Sequence, residues 1–260
     1  MGAYDYFAVT EDILSAERSS RRSLPGEVPM REERLPFAVK VVRSEEELSR
    51  AVHIRQVAYG RHVPEFAKML SAPEPLDREE GSVVLLAESK LDGSPLGSLR
   101  LQSNRYGKLC VEQSVELPGW LQCCDLAEGT RLAISEGRTG RVVKAALIKA
   151  FYLYCLEWNI DWIVITARKP LDRQYEALLY QDVFPGGEFI PMQHIGNIPH
   201  RVMAFEVQSG EARWSEASHP LFDFMCRTRH PDIDVGSRRP LFLNAGLRKA
   251  ASIHEVQVRQ

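Results

Sequence analysis

The chain has 260 residues, 44% of them hydrophobic and 26% charged, an ordinary composition for a globular protein that buries a proper core in one large domain or two small ones. Its 33 basic and 35 acidic residues leave a net charge of −2, so nothing global points to nucleic acid or to an anionic membrane. No apolar run approaches the roughly 20 residues that span a bilayer, and Met1 to Ser20 has no signal-peptide core, so a cytoplasmic protein without a transmembrane segment is expected.

Residues 1–35 are polar and rich in Arg, Glu and Ser; they read as a weakly ordered arm with one short helix around Glu11–Glu17. Phe37 to Val42 alternates and is β-branched, a strand. Ser44-Glu45-Glu46-Glu47 is a capping box that starts a helix to about Tyr59, with Leu48, Val52, Arg55 and Tyr59 in its inward row. Pro64 starts a short helix through Leu70, and Pro73-Glu74-Pro75-Leu76-Asp77 is a loop. Val83–Ala87 and Leu96–Leu101 read as strands of a hairpin closed at Asp92-Gly93. A strand over 128–135 feeds Gly137-Arg138-Thr139-Gly140 and then a helix with Val143, Leu147, Phe151 and Tyr154 on one face. A strand at Asp161–Thr166, a helix at Leu171–Gln181 and a closing strand at Val202–Val207 follow. A helix over Pro220–Thr228 and a basic tail (Arg238, Arg239, Arg248, Lys249) end the chain. The order predicts an α/β fold, a mixed, mostly antiparallel central sheet flanked by helices. One domain over residues 36–208 is expected, followed by a helical extension and tail over 209–260.

The strand–glycine–helix unit at 128–158 is the sharpest chemical signal. A helix N-terminus after a glycine-rich turn presents backbone N–H groups and a positive dipole end to an anion, and Arg138, Arg141 and Lys144 add to that field. The same pattern also describes a plain strand-to-helix turn with a solvated basic edge. Five cysteines (Cys110, Cys123, Cys124, Cys155, Cys226), odd in number and without CxxC spacing, argue against a disulfide framework or a zinc site. The seven histidines lack metal-ligand spacing, so no metal is expected. His194 and His200 flank a loop entering the last strand and read as surface residues, with substrate contact as the alternative.

The succession Pro95-Leu96-Gly97-Ser98-Leu99-Arg100-Leu101, Glu128-x-x-Arg131-Leu132-Ala133-Ile134 and Gly137-Arg-Thr-Gly140 resembles the core of the GNAT (acyl-CoA N-acyltransferase) superfamily. Within it the sequence is similar to the long-chain N-acyl amino acid synthases and the acyl-homoserine-lactone (autoinducer) synthases, over about residues 37–207. The resemblance implies an acyltransferase without a tightly bound cofactor. Its donor is an acyl-phosphopantetheine thioester, on acyl carrier protein or coenzyme A, and its acceptor a small-molecule amine. It implies substrate-binding roles for Arg55, Asp77, Arg100 and Arg131, and for Glu128 the positioning or deprotonation of the amine. It puts the oxyanion donor at the backbone N–H of Ile134 or Ser135, and donor binding at Ser135, Arg138, Gly140 and Arg141. In Glu176-Ala-Leu-Leu-Tyr180, Tyr180 takes the place of the family's general acid, where a core tyrosine is the alternative. The coenzyme A signature Gln/Arg-x-x-Gly-x-Gly/Ala is not kept: Gly137 and Val142 stand at its ends. That departure favours acyl carrier protein, an acidic partner for the basic stretch Arg138–Lys149. Three residues apart on a strand, Glu128 and Arg131 are expected on opposite faces, with separate roles or with partners such as Arg55 and Arg100. An acetyl-CoA-dependent acetyltransferase and a non-catalytic acyl-binding module are the other functions this pattern allows.

Overall fold

The computed structural model describes residues 30–137 and 139–236; the helix expected near Glu11–Glu17, Arg138 and the basic tail lie outside them. In chain order the elements are β1 (Arg31–Glu32), β2 (Phe37–Val41), α1 (Glu45–Gly60), α2 (Pro64–Met69), β3 (Ser82–Ser89), β4 (Pro95–Ser103), α3 (Gly119–Gln122), β5 (Leu126–Ile134), α4 (Gly140–Glu157) and β6 (Trp162–Ala167). There follow α5 (Asp172–Ala177), β7 (Gln181–Asp182), β8 (Ile190–Met192), β9 (Ile198–Glu206), α6 (Gly210–Glu216), β10 (Thr228–Arg229) and β11 (Ile233–Asp234). The large sheet runs β11-β2-β3-β4-β5-β6-β9-β7, with β8 also paired to β9. Within the large sheet β11–β2 and β5–β6 are parallel and the other pairs antiparallel; β1 and β10 form a separate parallel pair.

Local signals and structure agree where the signal is strong. Ser44 Oγ accepts the Glu47 N–H at 3.2 Å, and Glu45, Glu46 and Glu47 load the positive end of α1. Alternation along the strands divides the core between the two faces. One face sends Leu85, Leu99, Ala127, Ile163 and Phe205 against Val143, Leu147 and Phe151 of α4. The other sends Val84 and Leu86 under α1, and Leu126, Val164 and Ala204 against Phe66, Leu117 and Leu121. Gly129 lets α4 lie this close, since a Cβ there would come within 2.7 Å of the Phe151 ring.

Three expectations are corrected. The helix after Leu171 stops at Ala177 because α6 takes its carbonyls: Trp214 Nε1 donates to Leu178 O and Arg213 Nη2 to Leu179 O. Leu179 then turns left-handed, with φ 68°. The helix expected over Pro220–Thr228 is a single π turn, Asp223–Arg227, before the chain extends into β10 and β11. Lys149, expected on an exposed basic stretch, is 3% exposed. Its ammonium donates to Phe224 O, Thr228 O and His230 Nδ1 and so ties this C-terminal return to α4. Lys144 is half-buried and donates to Gln174. Of the described basic residues between 138 and 149, Arg141 alone is exposed.

Candidate active site

Seven polar side chains converge on the α1-facing side of β4 and β5. Arg55, from α1, donates to Asp77 Oδ1 at 2.6 Å, and both side chains are essentially inaccessible. Arg100, on β4, reaches Asp77 Oδ1 at 3.3 Å, Glu74 Oε2 at 2.9 Å and Thr130 Oγ1 at 3.1 Å. Arg131 clasps Glu74 with two bonds of 2.8 and 2.7 Å and also donates to His194 O at 2.9 Å. Glu74 itself is fixed by its backbone N–H, which donates to Asp77 Oδ2. Burial alone would raise the Glu74 carboxyl, but Arg131, Arg100 and Arg55 outweigh it and bring it down to about 2. All three arginines are thus partnered by the protein's own carboxylates, and Glu74, read from the sequence only as part of a loop, is the hub. The available clue was its place between Pro73 and Pro75, which stiffen the loop.

Glu128 and Arg131 were expected on opposite faces; the structure brings them to the same one. Between the pairs Ser98–Ala133 and Arg100–Thr130, β4 advances two residues and β5 three. The extra residue is a β-bulge, with Arg131 left-handed at φ 56°. The bulge restarts the alternation, so Thr130 and Arg131 both meet the cluster around Glu74. Glu128 and Arg131 do not become direct partners, nor does either pair with Arg55 or Arg100: Glu128 takes the Val111 N–H and Arg131 takes Glu74.

Glu128 is completely buried. Its Oε2 accepts the Val111 N–H at 3.2 Å, while Oε1 has no partner among the described residues. Burial pushes its carboxyl up to about 7, against the opposing pull of the Val111 and Cys110 N–H groups and the charges of Arg100 and Arg131. The covering turn, Cys110–Gln113, belongs to the β4–β5 connection. That connection also lines an open groove of about 890 Å³ with Leu117 and Leu121 in its wall and Glu112 and Glu116 beside them.

Next to Glu128 the sheet opens. β5 pairs with β6 only from Leu126–Trp162 to Gly129–Ile165, yet runs on to Ile134. Ser135 N–H donates to Leu96 O at 2.8 Å, so Ser135 is turned toward β4. The alternation of an antiparallel ladder therefore turns the N–H and C=O of Ile134 to the opposite edge, into the opening. Arg61 Nη2 bonds the Ile134 carbonyl there at 2.6 Å. Of the two expected oxyanion donors, the Ser135 N–H is occupied and the Ile134 N–H is the one that faces the gap. Ser135 Oγ is buried without a partner among the described residues. Behind it α4 starts at Gly140, where a Cβ would lie 3.0 Å from Ser135 O, and Arg141 follows on the exposed first turn.

Tyr180 is not brought to this cluster. It lies on the α4-facing side of the sheet, its ring 5.2 Å from Phe205 and 5.4 Å from Tyr175, and burial holds its hydroxyl well above the usual tyrosine range. His200, expected at the surface, is 3% exposed and hydrogen-bonded to Ile198 O. His194 is half-buried at the opening. Cys124 Sγ donates to Trp120 O. Among the described residues no group of three or more His, Cys, Asp or Glu is placed to hold a metal ion, and no helix is long and apolar enough to cross a membrane.

No family model and no curated protein matches the sequence. Solved structures do match the fold. FeeM, an N-acyl amino acid synthase from uncultured soil microbes, superposes with a TM-score of 0.56 at 18% identity, over 70% of this chain and 96% of its own. BjaI, a CoA-dependent acyl-homoserine lactone synthase, was solved with SAM and isopentyl-CoA; it gives 0.54 at 14% identity, over 81% of this chain and 99% of its own. The same synthase with MTA gives 0.52. The chain therefore has the GNAT acyltransferase fold, in the form that it shares with an N-acyl amino acid synthase and an acyl-homoserine lactone synthase.

Proposed function

We propose that this protein is an N-acyltransferase. It moves a fatty acyl group from a phosphopantetheine thioester, on acyl carrier protein or coenzyme A, to the amine of an amino acid or related small molecule. The observation that carries the reading is Glu128: a fully buried carboxyl held at about 7, with one oxygen unpartnered, beside the point where β5 and β6 part. A base near neutrality suits the removal of an amine proton, directly or through water. The opened edge of β5 suits the donor, since a pantetheine arm carries amides that can pair with strand backbone. The Ile134 N–H would bond the oxyanion as the amine attacks, and Ser135, Gly140 and Arg141 would receive the phosphate end of the donor. Arg55, Asp77, Arg100 and Arg131, with Glu74, would bind the acceptor's polar group or hold its pocket in shape. Atoms balance without a further acid: the nitrogen–carbon bond forms, the carbon–sulfur bond breaks, and the proton passed to Glu128 returns to the departing thiolate. Arg141 offers a contact to an acidic carrier protein, and the likeness to CoA-dependent BjaI favours acyl-CoA as the second donor. That likeness also makes a lactone synthase acting on S-adenosylmethionine the second reading.

The test is incubation with acyl carrier protein or acyl-CoA donors of several chain lengths and a pool of amino acids and S-adenosylmethionine, read by mass spectrometry. An N-acyl amino acid that is lost in Glu128→Gln and retained in Cys124→Ala is expected. An acyl-homoserine lactone would select the second reading. Donor binding without any product would make the protein a binding module.

A further inference from the structure

One residue, His194, spans the opening between β5 and β6. The turn Gln193–Ile195 is anchored on both sides: Gln193 N–H donates to Ser114 Oγ at 2.8 Å, and Arg131 Nη2 to His194 O at 2.9 Å. It holds the His194 ring with Nε2 3.5 Å from Thr166 Oγ1. Thr166 is the first residue of β6 beyond the last pair with β5, and Arg131 lies just beyond that pair on β5. His194 thus bridges the two strands where their ladder ends, its ring on Thr166 of β6 and its carbonyl on Arg131 of β5. Its Nδ1 is buried and has no hydrogen-bond partner among the described residues. A buried polar atom left this way is destabilising, and a ligand that supplies the partner removes that cost.

The charged and titratable groups felt by the ring come from every neighbouring element: Arg131 on β5, Arg100 on β4, His200 on β9 and Glu74 in the loop before β3. Burial first, then Arg131, His200 and Arg100, bring the imidazole down to about 4, against the opposing charge of Glu74. The ring is therefore neutral at working pH. Either tautomer fits the 3.5 Å contact with Thr166; the one in which the Thr166 hydroxyl donates to Nε2 puts the hydrogen on Nδ1, and hydrogen-bond donation from Nδ1 requires that one.

We propose that His194 is a catalytic residue of the acyl transfer, donating a hydrogen bond from its neutral ring to the thioester carbonyl oxygen as that oxygen becomes an oxyanion. The assignment rests on the acyltransferase reading above. The imidazole gains and loses no proton; the amine proton still passes to Glu128 and on to the sulfur. Together with the Ile134 N–H, His194 completes a two-donor site made by one backbone group and one side chain.

Three variants test it with the full-length protein: His194→Leu, His194→Gln and Thr166→Val. Removing one oxyanion donor costs about 10²–10³ in kcat, so His194→Leu is expected to lose that much with KM and Tm nearly unchanged. His194→Gln, which keeps an N–H donor, recovers at least about tenfold of the loss and shows the wild-type pH profile, because a neutral ring does not titrate in the working range. Thr166→Val, which frees the tautomer, falls between wild type and His194→Leu. A His194→Leu variant as active as wild type, or a His194→Gln variant that loses a limb of the pH profile, overturns the proposal. A wild type that acylates no amine sinks the acyltransferase reading instead. His194 is then judged by nitrogen-15 NMR with a non-reactive acyl thioether of coenzyme A: a shift of its ring nitrogens is expected, and no shift at saturation overturns the assignment.

Discussion

Glu128→Gln separates the chemistry of this residue from its fit. The substitution keeps the shape and an acceptor oxygen for the Val111 N–H, and removes the charge. If Glu128 is the base, kcat falls about 10²–10⁴-fold, and the rise of activity through pH 7 expected of the wild type disappears. Stability supplies an independent readout. In the folded protein the carboxyl sits at about 7 against an ordinary 4.5. The folded state therefore holds this proton more tightly than the unfolded chain. Its contribution to stability is fully present below pH 4.5, declines as pH rises toward 7 and is lost above it. At 1.36 kcal/mol per pH unit that decline amounts to about 3 kcal/mol. Gln does not titrate, so the variant escapes the decline. Its Tm advantage over wild type should grow between pH 5 and pH 8, by about 2–4 °C per kcal/mol for a chain of this size. Thermal melts at closely spaced pH values, with amide formation followed by mass spectrometry, measure both effects. A Tm difference that does not change with pH would refute the buried-carboxylate argument. A variant as active as wild type would refute the assignment of the base.

Glu74→Gln leaves Arg100 and Arg131 without their shared carboxylate and should cost about 3–5 kcal/mol, seen as a lower denaturation midpoint. Because the folded Glu74 carboxyl is held down to about 2, the wild type should lose stability as pH falls from 4.5 toward 2, and Glu74→Gln should show a flatter acid limb. Tyr180→Phe should leave kcat unchanged, since the ring belongs to the aromatic cluster with Tyr175 and Phe205; a loss of about 100-fold would make its hydroxyl the general acid. Lys149→Met strips the donor from the Phe224 and Thr228 carbonyls, at about 1–3 kcal/mol for each group left buried and unpaired. Hydrogen exchange over residues 221–235 should quicken while acyl transfer persists.

The parts of this fold that the sequence discloses are those decided within a few residues. Ser44 announces α1, Pro64 announces α2, and the stripe Val143–Leu147–Phe151–Tyr154 announces α4, because caps and periodicity are local physics. The residues of the cluster were legible through resemblance: Arg55, Asp77, Arg100, Glu128 and Arg131 do meet on one face, although their roles were not decided by that meeting. What stayed hidden is long-range. Glu74 takes its partners from residues 26 and 57 positions further along the chain, so nothing beside it betrays them. The bulge at Arg131 carries no glycine or proline to mark it, and strict alternation put that side chain on the wrong face. Lys149 reads as a solvated base until residues 224–230 fold back over it. Leu178 and Leu179 continue a helical pattern, and only α6, more than 30 residues later, takes their carbonyls away.

The opening between β5 and β6 separates two kinds of inheritance. Along the edge at Ile134, β5 offers main-chain groups, which every residue type supplies, so the β5 side chains of that edge tolerate most substitutions provided the strand keeps its course, whereas Arg61 and His194 act there through their side chains. The cluster to which the proposal gives the acceptor is built from side chains, where replacing Glu74 or Arg131 removes shared ion pairs. If the proposed function holds, a lineage built this way could drift in sequence and exchange one amine for another while its grip on the thioester arm stays the same. On the proposed function, the positions to vary in search of new acceptors are therefore those around Glu74, and the positions to leave alone are those, such as Gly129 and Gly140, where a Cβ would meet a close neighbour.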